Sequence, residues 1–310
     1  MKLSFLVTYH DEGVWLTECL RTVIGQLYAD DEVIVYDDAS DDPAVAHLVD
    51  DTRVKAIRGA TNIGPARARN ELLRASTGTH IHFHDADDVC AEGWREHVRR
   101  AAADVDIVFT DVQSFDEDGT RWPHVMDVQR LATGGDLLAF ALRGGLLAPA
   151  GTYRREVVER VGGYRADLWQ SEDYDFHIRL ALAHPTWKLV PDDLVLIRRH
   201  AEQRSRHKLE VWRGAVDSLE SNADRFPARA YPHVAWAATR AGSELFAASA
   251  EADAERAFRL AERFGGPKYE RAVMQKLTGI VGALSAEKIA AAYRKLLPAT
   301  FRMRMQKTPR

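Results

Sequence analysis

The chain has 310 residues, 46% of them hydrophobic and 28% charged, with a formal net charge of −4. That length exceeds one minimal core and predicts one large domain or two. The slightly acidic balance argues against nucleic acid as a partner, and no apolar run reaches the ~18 residues of a membrane span.

From residue 3 to about 112 the chain alternates between two periods. LSFLV reads as a buried strand. WLTECLRTVIGQL sets Leu16, Leu20, Val23, Ile24 and Leu27 on one helical stripe. EVIVYDD and VKAIRG read as the second and third strands. GPARARNELLRAST reads as a helix with Pro65 in its first turn and Gly78 just beyond its end. THIHF, AEGWREHVRRAAA and DIVFTDV follow as strand, helix and strand. Such alternation predicts an α/β fold with a mostly parallel sheet covered on both faces. From 113 to about 203 the pattern is less regular. GGDLLAFALRGG, RREVVERVGG and SEDYDFHIRLALAH read as helices, and DDLVLIRRH as a strand. Beyond that, alanine-rich helical periods replace the strands, punctuated by Pro227, Pro232, Gly265, Gly266 and Pro298. The expected organisation is therefore 1–203, with halves 1–112 and 113–203, and an α-helical C-terminal domain over 204–310. Cys19 and Cys90 have no CxxC or zinc spacing and read as buried thiols in a reducing compartment. The N-terminal apolar run is too short for a secretory signal, and the expected location is cytoplasmic.

In an open parallel sheet, ligands bind at the carboxyl ends of the strands. The first strand ends in Thr8, Tyr9 and His10, the second in Asp37 and Asp38, the fourth in Asp85, Asp87 and Asp88. Two like charges about 4 Å apart at an effective dielectric near 20 repel by roughly 4 kcal/mol, so three acids in DADD need a counter-charge. An acid at the end of the second strand can hold a ribose hydroxyl, but VTYHDEG lacks the glycine-rich turn that would hold a pyrophosphate. A divalent cation on the aspartates, Mn²⁺ or Mg²⁺, meets both needs by bridging carboxylates and a nucleotide diphosphate. His80, His82 and His84 alternate along one face of the strand; that spacing can imitate a metal site, but it reads as packing and rim hydrogen bonding.

SFLVTYHDEGVWLTECLRTVIGQ, EVIVYDDASDD, NIGPARARNELLRASTGTHIHFHDADD and VGGYRADLWQSEDYDFHIRLA, in that order over about residues 2–205, resemble the family-2 glycosyltransferases of the GT-A fold. The resemblance implies an inverting transferase that moves a sugar from a nucleotide-diphospho-sugar, a UDP-sugar being the expected donor, to a hydroxyl of a glycan or lipid-linked glycan. It implies a place in cell-surface glycan, polysaccharide or glycoconjugate synthesis. Thr8, Tyr9 and Asp38 match positions that hold the nucleoside, Tyr9 by stacking on the base. Asn62, Gly64, Arg69 and Asn70 match the loop and helix that shape the donor site. Asp85, Asp87 and Asp88 match the metal and sugar-phosphate acids; the resemblance suggests Asp87 near the sugar phosphate and Asp88 on the metal, with both Asp87 and Asp88 open as metal ligands. The family's usual asparagine after the tyrosine is replaced by His10. Asp173 matches the general base at the start of a helix, with Glu172 beside it. RRHAEQRS matches a closing segment in which His200 is a third metal ligand or diphosphate contact. Trp169, just before the base, is placed to stack on a sugar.

Two other readings fit the same sheet. A sugar-phosphate nucleotidyltransferase would need a basic glycine-rich loop after the first strand. A degenerate, non-catalytic sugar-binding or nucleotide-binding protein would lack the acids or the base. The C-terminal stretch carries Lys288, Arg294, Lys295, Arg302, Arg304, Lys307 and Arg310 among apolar residues. It suggests weak peripheral contact with the inner face of a membrane, and helix pairing nearby is compatible with a homodimer.

Overall fold

The computed structural model describes residues 1–122, 131, 135–200 and 207–296, with no side-chain description for 293–296. The chain folds as two units, Met1–Arg206 and His207–Arg310. The boundary expected near 203 falls among residues 201–206, and most of the basic C-terminal run falls in 297–310; both lie outside the described residues.

The first unit is a mixed sheet with helices on both faces. Strand β1 (Leu3–Tyr9) lies between β2 (Glu32–Asp37) and β4 (His80–Asp85), all parallel, and β3 (Val54–Arg58) extends this half beyond β2. The in-register pairs Tyr9–Asp37 and Thr8–Asp85 align the polar ends of three strands on one rim. Between them run α1 (Val14–Ile24) and α2 (Pro65–Ala75). Leu16, Leu20 and Val23 are the buried stripe of α1; Leu27 falls beyond its end.

After β4 the topology turns antiparallel. The two-residue β5 (Val89–Cys90) precedes α3 (Trp94–Ala101), and β6 (Ile107–Asp116) pairs with β7 (Arg121–Trp122). Helix α4 (Leu137–Leu142) leads to β8 (Gly151–Arg154), which inserts antiparallel between β4 and β6. Helices α5 (Arg155–Arg160) and α6 (Glu172–Leu182) follow, and β9 (Trp187–Arg199) runs parallel to β6 with a bulge at Asp111. One sheet face packs Phe5 edge-on against Trp94 of α3. The other packs Phe83 against Tyr164 and Phe176 of α6.

In the second unit α7 (Lys208–Ser221), α8 (Tyr231–Ala247), α9 (Glu251–Arg263), α10 (Ala272–Val281) and α11 (Ala283–Leu296) are all helical. Its core joins Val216, Ala241, Leu245, Ala254, Ala257 and Phe258. A Cβ on Gly242 would sit 2.6 Å from the Phe258 ring, so glycine sets the close approach of α8 and α9. Among the described residues no helix is long and apolar enough to cross a membrane.

Asp31, at the foot of β2, accepts from Arg95 Nε (2.7 Å) and Nη2 (2.9 Å) and from the Leu3 and Tyr28 amides. Both charged groups are buried. Asp31→Ala strands the guanidinium, and a loss of about 3–5 kcal/mol in urea-unfolding stability is expected.

Candidate functional site

The rim formed by β1, β2 and β4 organises itself through its acids. Asp37 is buried, yet the Ser40 and Ala44 amides and Arg58 hold its carboxyl below the usual range. Asp38 is also buried and accepts from the Ile63 amide (2.7 Å) and the Gly64 amide (2.8 Å). It therefore fixes the loop before α2 against the end of β2. Asn62 accepts from the Gly64 amide, and its Nδ2 lies 3.1 Å from His10 Nε2. Gly64 has φ +80° and ψ 163°, a region essentially confined to glycine. A Cβ there would also lie 2.8 Å from the Trp169 ring, which is 56% exposed.

Arg69, on the buried side of α2, joins two distant parts of the chain. Its Nη2 donates to Asp85 Oδ1 and its Nη1 to Glu172 Oε1, each at 2.7 Å. Thr8 Oγ1 also donates to Asp85 Oδ1, at 3.1 Å. Burial raises the Asp85 carboxyl, but the guanidinium wins and holds it below its usual range. Asn70 is turned elsewhere: it donates to the Tyr164 carbonyl and accepts from the Tyr164 amide. It tethers the loop leading to α6 and does not face the rim beside Asp85.

Glu172 and Asp173 occupy the first turn of α6, where the helix dipole favours carboxylates. Asp173 Oδ1 accepts from the Tyr174 amide at 2.8 Å. Burial and the adjacent Glu172 push the Asp173 carboxyl up to about 6. Glu172 is committed to Arg69, which leaves Asp173 as the carboxylate of the pair suited to proton transfer.

The three acids of DADD diverge. Asp87 Oδ2 lies 2.8 Å from His200 Nε2, and burial and Asp85 raise its carboxyl. This carboxylate–imidazole pair is a donor set that fits Mn²⁺ or Mg²⁺. Asp88, expected on the metal, is 3% exposed and accepts from the Arg198 amide of β9 at 3.0 Å. Burial, with Asp87 and Asp85 nearby, raises its carboxyl well above the usual range. Through this bond Asp88 clasps the end of β9 to the turn after β4. Arg198 is likewise occupied, by Glu18 and the Asp87 carbonyl.

Tyr9 also departs from expectation. Its ring is 1% exposed and offers no face for a base to stack on. Its hydroxyl donates to the Asp42 carbonyl and accepts from the Gly13 amide, closing the loop after β1. That loop carries an acid that the motif pattern does not single out. Glu12 accepts from the His10 amide, and burial, together with Asp87 and Asp85, pushes its carboxyl up to about 8. Its signal in the chain is the second acid of YHDEG, close behind a strand that ends at the site.

Comparison with known proteins gives a family and a fold. The model described as "Glycosyl transferase family 2" matches residues 4–162. An uncharacterized glycosyltransferase of Bacillus subtilis, YwdF, is 28% identical over 187 residues, covering 58% of this chain and 68% of the relative. Among solved structures, a mannosyltransferase of Pyrobaculum calidifontis in complex with GDP-Man and Mn²⁺ shares the fold with a TM-score of 0.61 at 19% identity. It covers 95% of this chain and 87% of its own. S. aureus TarS 1–349 in complex with UDP-GlcNAc gives 0.56 at 17% identity, over 87% and 93% of the two chains.

Gly64→Ala combines backbone strain with a clash against Trp169. A loss of roughly 1–3 kcal/mol in unfolding free energy is expected, with altered tryptophan emission. Adding Trp169→Ala removes the clash but not the strain, so only part of the stability returns.

Proposed function

The chain belongs to glycosyl transferase family 2 and is a glycosyltransferase; from that premise we propose an inverting transfer from a nucleotide-diphospho-sugar to a hydroxyl acceptor. The observation that carries the reading is Arg69, which holds the donor-side acid Asp85 and the base-side acid Glu172 at 2.7 Å each. Donor acids and base thus belong to one site. The donors named with similar folds, UDP-GlcNAc and GDP-Man with Mn²⁺, support a nucleotide sugar and a divalent cation. We take a UDP-sugar as donor and a glycan or lipid-linked glycan as acceptor, in cell-surface glycan synthesis.

In this reading Asp87 and His200 hold Mn²⁺ or Mg²⁺, and Glu12 faces the same charge. When bound, the cation neutralises the diphosphate as leaving-group charge develops. Asp38 fixes the Ile63–Gly64 turn that borders the donor, and Asn62 and His10 line the same edge. Thr8 and Arg69 orient Asp85. Trp169, lying over Gly64 with its ring largely exposed, is a platform for a sugar face. Asp173 takes the acceptor hydroxyl proton as the oxygen attacks the anomeric carbon, and the nucleoside diphosphate departs from the opposite side. A single displacement of this kind inverts the anomeric centre. Retention of all the acids and of the base disfavours a merely sugar-binding protein.

Asp173→Asn is expected to keep donor affinity and to lower transfer about 10²- to 10⁴-fold. Near-normal transfer by this variant would move the base elsewhere. Because the ionised carboxylate accepts the proton, transfer should fall as pH drops through about 6. This limb of the rate profile should vanish in the variant. Asp87→Asn and His200→Ala should each weaken Mn²⁺-dependent donor binding by calorimetry. Asp88→Asn should instead lower the melting temperature while leaving the metal response in place.

A further inference from the structure

Strand β4 sets His82 and His84 on the same face of the sheet, both buried, and β5 brings buried Cys90 against them. One donor atom from each of the three lies within 4.8 Å of the others. The surroundings are aromatic. The Phe5 ring lies 5.0 Å from His82 and 4.8 Å from His84, and Trp94 lies 4.6 Å from His82. Thr152 Oγ1 sits 3.0 Å from His82 Nδ1, which leaves His82 Nε2 facing His84 Nδ1 at 3.1 Å. The backbone at Asp88 also hydrogen-bonds the His84 ring, and the backbone at Gly151 the His82 ring. Cys19 of α1, also buried, is within electrostatic reach of Cys90.

As core packing this is a poor choice. Aliphatic side chains would fill the same volume without burying two imidazoles and a thiol. As a ligand set it is coherent. Two imidazoles and a thiol select soft closed-shell cations over Mn²⁺ or Mg²⁺. Metal-ligating histidines are oriented by a hydrogen bond on the ring nitrogen that does not bind, and Thr152 supplies one to His82. Tetrahedral bonds of about 2.0–2.1 Å to nitrogen and about 2.3 Å to sulfur place donors roughly 3.3–3.7 Å apart. The two histidines already stand close to that spacing. We propose that His82, His84 and Cys90 form a buried structural site for a d¹⁰ cation, Zn²⁺ or Cu⁺, separate from the Asp87–His200 donor set. Binding exchanges the thiol proton for a metal–sulfur bond, and the proton leaves to solvent. The two sites differ in chemistry: a thiol with two imidazoles in the core, a carboxylate with one imidazole at the rim.

The test uses the full chain, reduced, stripped with a chelator in mild denaturant and refolded with excess Mg²⁺ to saturate the rim. Co²⁺ is then the spectroscopic probe. One tightly held Co²⁺ per chain with a sulfur-to-cobalt charge-transfer band is expected, since the rim set contains no sulfur. Displacement by Zn²⁺ or by Cu⁺ in parallel arms identifies the cation, and the bound form should melt several degrees higher. Cys90→Ser should abolish the band. His84→Leu, which keeps the core filled, should weaken Co²⁺ binding at least tenfold. Absence of the band in the parent chain overturns the proposal, as does a band of equal strength in Cys90→Ser. Should Cys90→Ser fail to fold, undiminished Co²⁺ retention by His84→Leu overturns it alone.

Discussion

The first unit is organised around one guanidinium. Arg69 is 4% exposed and could not be buried alone, because an unpaired charge in such surroundings carries a large desolvation cost. Two carboxylates make it tenable, and each comes from a different layer of the fold: Asp85 from the end of a strand, Glu172 from the first turn of a helix. The Tyr164 ring, 5.2 Å from the guanidinium, covers one face. Asn70, one residue on, ties down the backbone of that same tyrosine. The helix α2 is therefore less a cover for the sheet than a bracket between its acidic rim and the helix bearing the candidate base.

Three acids in four residues are tolerable because they do not share an environment. Asp85 has a cation. Asp87 has an imidazole and faces the rim. Asp88 is buried on a backbone amide of β9 and stays toward its neutral form. Divergence of direction relieves what mere proximity in sequence would make costly. It leaves Asp87 paired with His200, the two residues proposed above to hold the cation.

Much of this was legible in the amino-acid order. Period-2 apolar runs ending in Thr8, Asp38 and Asp85 placed three polar strand ends on one rim, and parallel register put them side by side. What escaped was decided by long-range pairing. GTYR has no strong strand pattern of its own and becomes β8 because it fills the gap between β4 and β6. The fate of Asp88 depends on β9, 110 residues away, and that of Tyr9 on the Asp42 carbonyl. Aromatic residues near a site look alike in sequence whether they present a face or close a loop. Only burial separates Tyr9 from the exposed Trp169.

The two bonds of Arg69 differ greatly in reach. Asp85 is 16 residues away along the chain, Glu172 103 residues away. Closing the longer loop costs more chain entropy, and such non-local contacts form late. The Arg69–Asp85 bond closes a short loop within the β–α–β half. The guanidinium still lacks a second acid until α6 is synthesised and docked. The Arg69–Glu172 bond thus ties the first turn of α6, where Asp173 also sits, to a helix laid down 103 residues earlier in the chain.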